Sequence, residues 1–393
     1  MNTSLSKSSK NILFIDSYYQ GLNGAPTSML SLAKGLSEKG HAITVASSKN
    51  GGLLNKAIHN NLEALELAVP NPLLGSRKDF NIPTIILYIF SLVTFWFLQV
   101  FKYSLKKFDI ICVNDIRSFL FFLPLLFIAR NKVVWYVRIN DRVPYVTTIA
   151  AYIAKKIILI SSDCINVFSV RERHKFSNKF TILNTGFRFS PIDAQVVSEI
   201  ESSIIGQSKG KVFISVGSIC QRKNQIDIVR AYASTCSPND ILLLIGSPTS
   251  EEDLKYETEL VRVIESLDIV DQVKRIPHTP FVHEYLSIAD IFLFASRQEG
   301  LPRVVIEALH AGCFVCSSKV DGVIDILKDA KYGRYTLSSA DSSDFLSEFR
   351  RLLMSVDKEA LYLRENRRDF IVNNFDYDKF IQGFENLVKI VSD

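Results

Sequence analysis

The sequence predicts an α/β protein built from two βα domains. The chain has 393 residues, which is long for one domain and sufficient for two. Apolar residues make up 47% and charged residues 22%, so material for two cores is present and a largely disordered chain is excluded. Short apolar runs alternate with helical patterns in two separate series, which is typical of parallel sheets covered by helices.

The first series opens with an apolar strand at residues 11–16, and this strand ends at polar Asp16. A glycine-containing loop leads to a helix from 29 to 39, Gly40 ends the helix, and a second strand follows at 41–46. This order forms a βαβ unit. Further strands are predicted at residues 108–114, 132–137, 165–169 and 181–184.

The second series begins after a polar stretch at residues 191–210. Its predicted strands are 211–217, 240–246, 273–277, 289–296 and 313–318, and its helices are 225–233, 257–267 and 303–310. We therefore predict an N-terminal domain at 1–190 and a C-terminal domain at 191–376. A final helix at 377–391 suits either domain, so residues 377–393 are a candidate addition to the first. Two open parallel sheets of this kind are expected to face each other across a cleft and to bind ligands where their strands end.

The most apolar stretch, residues 81–101, carries no charge and is long enough to span a bilayer. Polar residues recur along one face of the predicted helix, which favours a buried or interfacial helix: Thr84, Tyr88, Ser91, Gln99, Lys102 and Lys106. The stretch also lies between βα elements that a membrane span would separate. We expect a cytoplasmic protein with a peripheral contact at the inner face of the membrane.

Charge and cysteine content exclude several other classes. A net charge of +5 is too small to indicate a nucleic-acid partner, although it suits phosphates or an anionic membrane surface. The six cysteines form no disulfide framework, which favours a reducing compartment. Cys313 and Cys316 form a CxxC without a second pair or a histidine cluster, so we interpret them as buried thiols and predict no metal site.

The strongest candidate for chemistry is the segment ASRQEGLPRVVIE at residues 295–307. It follows a predicted strand directly and carries Glu299 in a loop and Glu307 in the next helix. Gly300 permits a tight turn, and Pro302 suits the first turn of a helix whose free N–H groups attract anions or hydroxyls. Two solvated glutamates, one of them capping the helix, are the alternative interpretation.

Two further loops have the composition of ligand-binding loops. GSICQRKN, residues 217–224, places Arg222 and Lys223 between a strand and a helix, where two cations suit a diphosphate leaving group. An exposed basic pair is the alternative. GLNGAPTS, residues 21–28, lacks the spacing of a dinucleotide or P-loop motif, and indicates either a backbone approach to a phosphate or sugar or a flexible turn.

Taken together, these segments resemble the retaining glycosyltransferases of family 4, also called glycosyl transferases group 1. The resemblance covers nearly the whole chain. It is carried by NGAPTSMLSLAKGLSEKGHAITV, ILNTGF, VGSICQRKNQIDIVRAY and SRQEGLPRVVIEALHAGCFVCSS. The last segment resembles the Glu-x7-Glu signature of that family and is the most specific. The resemblance implies a GT-B fold, with two Rossmann-like domains, and a metal-independent reaction that needs no cofactor and retains the configuration of the sugar.

By position, the resemblance also implies roles for individual residues. Glu307 would hold the donor ribose, and Glu299 would contact the transferred sugar together with the backbone of Gly300 and Leu301. Arg222 and Lys223 would neutralise the departing diphosphate beside Gly217, and Gly24 would approach it from the other domain. The partners implied are a nucleotide-sugar donor, with UDP favoured and GDP possible, and a polysaccharide or lipid-linked saccharide acceptor.

Two positions depart from the family pattern. Ser218 stands where many members carry an arginine after the glycine. The segment VRINDRVP stands where many carry a histidine, and it offers Arg138, Asn140 and Asp141 as acceptor-side candidates, with a surface salt-bridge cluster as the alternative. Two other functions therefore stay open: a nucleotide-sugar-binding protein with impaired catalysis, and a nucleotide-sugar epimerase of the same fold.

Overall fold

The computed structural model describes residues 9–20, 24–75, 81–189, 191–205 and 210–392. The chain divides into two compact units. The first comprises Met1–Gly186 together with Tyr377–Asp393, and the second comprises Phe187–Asp376. The domain boundary predicted from the sequence, after residue 190, thus falls a few residues beyond this division, and the last helix lies in the first unit.

The first unit contains a seven-stranded sheet in the order β3-β2-β1-β4-β5-β6-β7, with every strand pair parallel. Its strands are β1 (Asn11–Asp16), β2 (Ala42–Ser47), β3 (Glu63–Glu66), β4 (Ile110–Val113), β5 (Val133–Val137), β6 (Lys156–Leu159) and β7 (Phe180–Ile182). Its helices are α1 (Gly24–Glu38), α2 (Gly52–His59), α3 (Ile82–Lys102), α4 (Ile116–Ile128), α5 (Val146–Ile153), α6 (Val170–Lys175) and, at the end of the chain, α16 (Tyr377–Ser392).

The second unit contains a six-stranded parallel sheet in the order β10-β9-β8-β11-β12-β13. Its strands are β8 (Val212–Val216), β9 (Ile241–Ile245), β10 (Val273–Ile276), β11 (Ile291–Phe294), β12 (Phe314–Ser317) and β13 (Gly333–Tyr335). Its helices are α7 (Ala194–Ile200), α8 (Gln225–Ala233), α9 (Glu251–Ser266), α10 (Val282–Ser287), α11 (Arg303–Ala311), α12 (Val323–Ile326), α13 (Phe345–Met354), α14 (Lys358–Tyr362) and α15 (Arg364–Asn374).

Both sheets reverse their strand order once, between β1 and β4 and between β8 and β11. The central strands are buried along their length, because helices cover both faces of a parallel sheet. In open α/β sheets the crevice at such a reversal, beyond the carboxyl ends of the strands, is where ligands bind. The loops that follow these four strands are therefore the places where a ligand is expected to bind.

Helix α16 packs against α1 in the first unit. A Cβ atom added to Gly35 of α1 would lie 2.4 Å from Cδ1 of Ile381, so the two helices approach as closely as a glycine permits. The Tyr377 hydroxyl donates a hydrogen bond of 2.7 Å to the Ser31 carbonyl, and the Phe14 and Phe384 rings lie 5.9 Å apart. The last helix thus completes the core of the first unit.

Helix α4 is bent, and α3 supplies hydrogen bonds at the bend. Phe122 has non-helical backbone angles, and Pro124 has no N–H to donate to the Leu120 carbonyl one turn earlier. The Trp96 indole of α3 donates to that carbonyl at 2.9 Å, and the Gln99 amide donates to the Phe121 carbonyl at 2.8 Å. Two side-chain hydrogen bonds therefore hold α3 along α4.

Only the middle of the polar stripe predicted for α3 lies toward the protein, and Lys106, which is exposed, lies beyond the end of the helix. Gln99 is buried and Tyr88 and Ser91 are half-buried, whereas Thr84 and Lys102 are exposed. The residues that face outward are apolar at helical spacing: Ile82, Ile86, Phe90, Val93, Phe97 and Phe101. The helix is long and apolar enough to cross a membrane by length and composition.

One predicted strand is wrong. Residues 165–169 do not form a strand, because Ser162–Val167 is a 3-10 helix, and the strand at this place in the sheet is β6, only four residues long. Cys313 and Cys316 are buried, as predicted; burial raises the pKa of the Cys313 thiol to about 12.

Candidate active site

The second unit brings two of the predicted loops together where its strand order reverses. Residues 217–224 follow β8, residues 295–302 follow β11, and these strands are neighbours in the sheet. The Arg297 N–H donates to the Arg222 carbonyl at 2.9 Å, so the two loops are hydrogen-bonded through their backbones. Side chains from both loops therefore share one site at the carboxyl edge of the sheet.

Glu299 lies at the centre of this site. Its Oε1 atom accepts hydrogen bonds from Nζ of Lys223 at 2.7 Å, from Nη1 of Arg222 at 2.8 Å and from the Ser296 hydroxyl at 2.8 Å. Arg222 also donates to the Gln298 carbonyl at 3.0 Å. One carboxylate thus fixes two cations that the sequence assigned to a separate loop.

The electrostatics of this cluster keep Glu299 ionised. Burial raises the pKa of the Glu299 carboxyl, but the charges of Lys223 and Arg222 outweigh burial, and the net pKa is below its usual value. Lys223 is mostly buried, with 14% of its side chain exposed, and its ammonium lies 5.1 Å from the centre of the Phe294 ring. Lys223 and Arg222 thus form a preformed pair of cations with Glu299 as their single counter-charge. An anionic ligand can bind to the same two cations.

Glycines allow the backbone around this cluster to approach closely. Gly217 and Gly246 end adjacent strands with positive φ angles, and a Cβ on Gly246 would lie 2.0 Å from the Gly217 carbonyl oxygen. A Cβ on Gly322, also at positive φ, would lie 2.5 Å from the carbonyl oxygen of Gly300 and 2.8 Å from Cα of Leu301. Gly246 and Gly322 therefore allow the loops to pack closely, and neither is predicted as a site residue from the sequence.

The helix that follows Glu299 begins at Arg303. Pro302 occupies its N-cap position and supplies no side-chain cap, so the first turn relies on other partners for its N–H groups. Glu307 lies one turn further and accepts a 2.7 Å hydrogen bond from Nε of Arg303. Only 13% of the Glu307 side chain is exposed, so this glutamate is not the solvated residue of the alternative interpretation.

The first unit carries a second polar cluster where its own strand order reverses. Asp16 ends β1 and Asn114 follows β4, and Nδ2 of Asn114 donates to Oδ2 of Asp16 at 2.6 Å. Arg138, directly after β5, donates through Nε to Oδ1 of Asn114 at 2.7 Å and through Nη1 to Ser28 of α1 at 2.9 Å. Ser28 in turn lies 2.8 Å from the Thr185 hydroxyl.

Arg138 is a buried cation, with 7% of the residue exposed, and not part of a surface salt-bridge cluster. Its guanidinium carbon lies 3.5 Å from the centre of the Tyr136 ring. In the part of the chain that the structure describes, Nη2 of Arg138 has no hydrogen-bond partner. Burial and the charge of Asp115 raise the pKa of Asp16 to about 7, although the Tyr18 N–H, Asn114 and Arg138 act in the opposite direction.

The other acceptor-side candidates lie outside this cluster. Asn140 is half-buried and Asp141 is exposed. Nearby Arg142 forms an ion pair with Glu172 at 2.8 Å. Gly24 is the first residue of α1 and has open space around its Cα atom, while residues 21–23 of the predicted loop lie outside the described residues.

Most of the first unit's cluster is not predicted from the sequence. The sequence marks Asp16 only as the polar end of a strand, and it does not predict that Asn114, Ser28 or Thr185 belongs to a site. The available signal was that polar residues end two apolar runs, at Asp16 and Asn114. Ser28 and Thr185 carry no such signal, because they reach the cluster from a helix and from a loop.

The fold is that of GT-B proteins. HepE from Anabaena, solved in complex with UDP and glucose, is similar with a TM-score of 0.71 and 17% identity over 97% of this chain and 99% of that chain. WaaG, a glycosyltransferase involved in lipopolysaccharide biosynthesis, is similar with a TM-score of 0.63 and 16% identity over 97% and 99%. These likenesses confirm the predicted fold class.

Residues 198–370 match the glycosyl transferases group 1 family. This match confirms, over this stretch, the resemblance to glycosyl transferases group 1 predicted from the sequence. The stretch contains Gly217, Arg222, Lys223, Glu299 and Glu307, so the cluster described above lies within the matched region.

Curated relatives align with part of the chain. A Campylobacter jejuni N-acetylgalactosamine-N,N'-diacetylbacillosaminyl-diphospho-undecaprenol 4-alpha-N-acetylgalactosaminyltransferase is 24% identical over 250 residues, 56% of this chain and 66% of that protein. An Escherichia coli UDP-Gal:alpha-D-GlcNAc-diphosphoundecaprenol alpha-1,3-galactosyltransferase is 22% identical over 56% of each chain. The aligned stretches thus cover less than two thirds of these relatives.

Proposed function

We propose that this protein is a retaining glycosyltransferase that moves a sugar from a nucleotide-sugar donor to a lipid-linked saccharide or polysaccharide acceptor. The observation that carries the proposal is the contact of Glu299 with both Lys223 and Arg222. This contact joins the two loops that the sequence assigned separately to the sugar and to the diphosphate. It also lies at the strand reversal of the second sheet, where this class of fold binds ligands.

Lys223 and Arg222 would neutralise the charge that develops on the diphosphate as its bond to the sugar breaks. Fixed cations act strongly here, because they are already oriented and need no reorganisation when the charge appears. Glu299 holds both cations in place, and it would accept a hydrogen bond from a hydroxyl of the transferred sugar. The acceptor hydroxyl would form the new bond on the face of the sugar from which the diphosphate leaves, and its proton would pass to the departing diphosphate. Configuration is then retained with no covalent intermediate on the protein and no bound metal.

The start of α11 would bind the remainder of the donor. The backbone of Gly300 and Leu301 would contact sugar hydroxyls. Glu307 would accept hydrogen bonds from the two ribose hydroxyls, using Oε2 in addition to the atom that Arg303 contacts. Gly217 would allow the diphosphate to approach the β8 loop.

The activities for which relatives are named support the donor and acceptor classes. HepE was solved with UDP, and the Escherichia coli relative is named for a UDP-galactose donor, so we favour UDP over GDP. The relatives from Campylobacter jejuni and Escherichia coli are both named for acceptors linked to undecaprenol through a diphosphate. We propose a lipid-linked acceptor of this chemical class, with Arg138 as the acceptor-side contact and Asn140 and Asp141 as secondary candidates.

We also propose that the first unit contacts the inner face of the membrane through α3. Its outward stripe is apolar over about 30 Å, and Phe90, Phe97 and Phe101 are each at least 67% exposed. The hydrogen bonds from Trp96 and Gln99 to α4 favour a helix lying in the interface, since a span would have to break both of them. Lys102 at its end adds a charge that suits anionic lipids.

The proposal is tested by incubating the purified protein with UDP-, GDP- and ADP-sugars and a synthetic undecaprenyl-diphosphate saccharide. Released nucleotide measures turnover, and NMR of the product gives the configuration of the new bond. We expect turnover with a UDP-sugar and a new glycosidic bond that has the same anomeric configuration as the donor. We also expect that Glu299→Gln lowers turnover at least tenfold. The exposed Glu259→Gln substitution in α9 is the matched control and is expected to leave turnover unchanged.

Other outcomes identify the alternatives. Binding of a nucleotide sugar without transfer to any acceptor indicates an impaired binding protein. Conversion of one sugar nucleotide into another without an acceptor indicates an epimerase. Neither binding nor turnover across the panel contradicts the proposal as a whole.

A further inference from the structure

The first unit contains an apolar cavity of about 190 Å³ beside the C-terminal end of α3. Its floor is formed by Leu13 and Ile15 of β1 and by Leu65 and Leu67 at β3, which share one face of the sheet because their positions alternate. Ala46 of β2 pairs with Ile15 on one side and with Leu65 on the other. The small side chain between two large ones explains why space remains here.

The wall of the cavity comes from the bend of α4 and from the segment after α3. Phe122, where α4 departs from helical geometry, and Leu125 line the cavity from α4. Tyr103 and Phe108 line it from the segment after α3. The enclosure is therefore almost wholly apolar, and a cavity of about 150 Å³ with such a lining is large enough for benzene.

Two cations and one unsatisfied hydroxyl distinguish this cavity from a packing defect. The Lys102 ammonium lies 5.2 Å from the centre of the Tyr103 ring, and the Lys107 ammonium lies 4.9 Å from the centre of the Phe108 ring. All four residues line the cavity. Lys107 also forms an ion pair of 3.6 Å with Glu63, in which both side chains are more than half exposed. The Tyr103 hydroxyl is buried and has no hydrogen-bond partner among the residues that the structure describes, which is a costly arrangement for a polar group.

We infer that this cavity binds one hydrocarbon chain of an anionic lipid, with the lipid phosphate held by Lys102 and Lys107. The apolar lining fits the chain, and the Tyr103 hydroxyl gains an acceptor. The two ammonium groups fit the phosphate, for which Lys107 exchanges its exposed and weak ion pair with Glu63. Lys102 is the last residue of α3, so the site continues the outward apolar face of that helix. The inference rests on the membrane contact proposed for α3 and adds a defined lipid site to it.

The test is calorimetric titration of the whole chain with n-octyl phosphate below its micelle concentration. We expect saturable binding of one molecule. Octanol offers the chain without the anion, and inorganic phosphate offers the anion without the chain. Each is expected to bind at least tenfold more weakly, because each lacks one half of the interaction.

Variants locate the site. Leu65→Trp fills the cavity and is expected to abolish binding of octyl phosphate. If circular dichroism shows that this variant does not fold, Leu67→Phe serves as the cavity-filling variant instead. Lys102→Gln with Lys107→Gln is expected to lower the affinity for octyl phosphate about tenfold, toward that of octanol. Lys34→Gln, on an exposed position of α1, is the matched control and keeps full affinity.

Two further comparisons separate the lipid site from the proposed membrane contact of α3 and from the proposed sugar transfer. Ile86→Ser, on the outward stripe of α3, is expected to weaken vesicle binding while octyl phosphate binding persists. The titration uses no donor, so a failure of sugar transfer leaves its result unchanged. Tighter binding of geranyl phosphate assigns the site to an isoprenoid carrier, and tighter binding of octyl phosphate assigns it to a bulk lipid. No saturable binding, or equal binding by wild type and the folded cavity-filling variant, overturns the inference.

Discussion

Lys223 Nζ lies 2.7 Å from Oε1 of Glu299, although the two residues are 76 positions apart in the chain. The contact joins a loop after β8 to a loop after β11. It leaves the lysine mostly buried with a carboxylate as its charged partner. A ligand that brings a second anion to this place can therefore draw on a cation whose position is already fixed.

Lys223→Gln is expected to weaken the binding of a nucleoside diphosphate by about ten- to a hundredfold, because a hydrogen bond to a charged group contributes about 1.5–3 kcal/mol. Titration calorimetry with UDP measures this change. Lys274→Gln, at an exposed position of β10, controls for the loss of one positive charge. Equal UDP affinity in both variants would show that Lys223 does not contact the diphosphate.

Glu299→Gln is expected to separate binding from turnover. Transfer falls at least tenfold because the carboxylate no longer orients Lys223, Arg222 and the sugar. The affinity for UDP alone stays the same or rises, since the two cations lose the charge that neutralises them. Steady-state kinetics and calorimetry on the same preparation measure both quantities, and a parallel loss of UDP affinity would contradict this role.

Asp16 is expected to make the first unit less stable as the pH rises. Its pKa is raised from 3.8 to about 7 in the folded state, so between these values the folded protein holds a proton that the unfolded chain has released. The stabilisation is complete below about pH 4 and is lost as the pH passes through 7, with a slope of at most about 1.4 kcal/mol per pH unit.

Urea unfolding at pH 5 and pH 8 tests this dependence. Asp16→Asn is expected to show a smaller decrease in the free energy of unfolding between the two pH values than the wild type shows. Asp271→Asn, at an exposed position of the second unit, is the control and should follow the wild type. An identical decrease in all three proteins would exclude Asp16 as its source.

Arg138→Lys is expected to destabilise the protein by about 1–3 kcal/mol, since one ammonium cannot replace the separate contacts to Asn114 and Ser28 and leaves buried polar groups unpaired. Urea unfolding at neutral pH measures the change. Arg171→Lys, at an exposed position of α6, is expected to remain within about 0.5 kcal/mol of wild type. A stability equal to that of the control would mean that the cluster contributes little to the fold.

The double variant Ile86→Ser with Phe90→Ser is expected to lower binding to phosphatidylglycerol-containing vesicles at least tenfold, because each side chain contributes about 1.5–3 kcal/mol when it leaves water. Its free energy of unfolding should change little, since both residues are exposed. Vesicle sedimentation measures the effect. Ile58→Ser, exposed on α2, is the matched control, and similar binding by both proteins would argue against α3 as the contact.

The sequence was sufficient for the sheet-forming segments of the second unit and for the loop that holds Glu299. Apolar runs bounded by glycine and polar residues mark β8, β9 and β11, and local pattern decides such elements. It was not sufficient at residues 165–169, where a short apolar run is compatible with a strand and with the 3-10 helix that forms.

The cluster around Arg138 shows a different limit. Its members come from β1, β4, β5, α1 and the segment after β7, and they meet only because the strand order sets Asp16 beside Asn114. No local pattern carries that information. The outward face of α3 is a similar case, since the sequence shows a polar stripe but does not show that α4 packs beside Trp96 and Gln99.

The place of α16 has a consequence for how the protein is made. Because α16 packs on α1 while residues 187–376 form the second unit, the ribosome must synthesise the whole second unit before it reaches the helix that completes the first. Until then the surface of α1 that receives Ile381 and Tyr377 stays uncovered. The unit whose strands emerge first is thus the last to finish folding, and the second unit has its full sequence earlier.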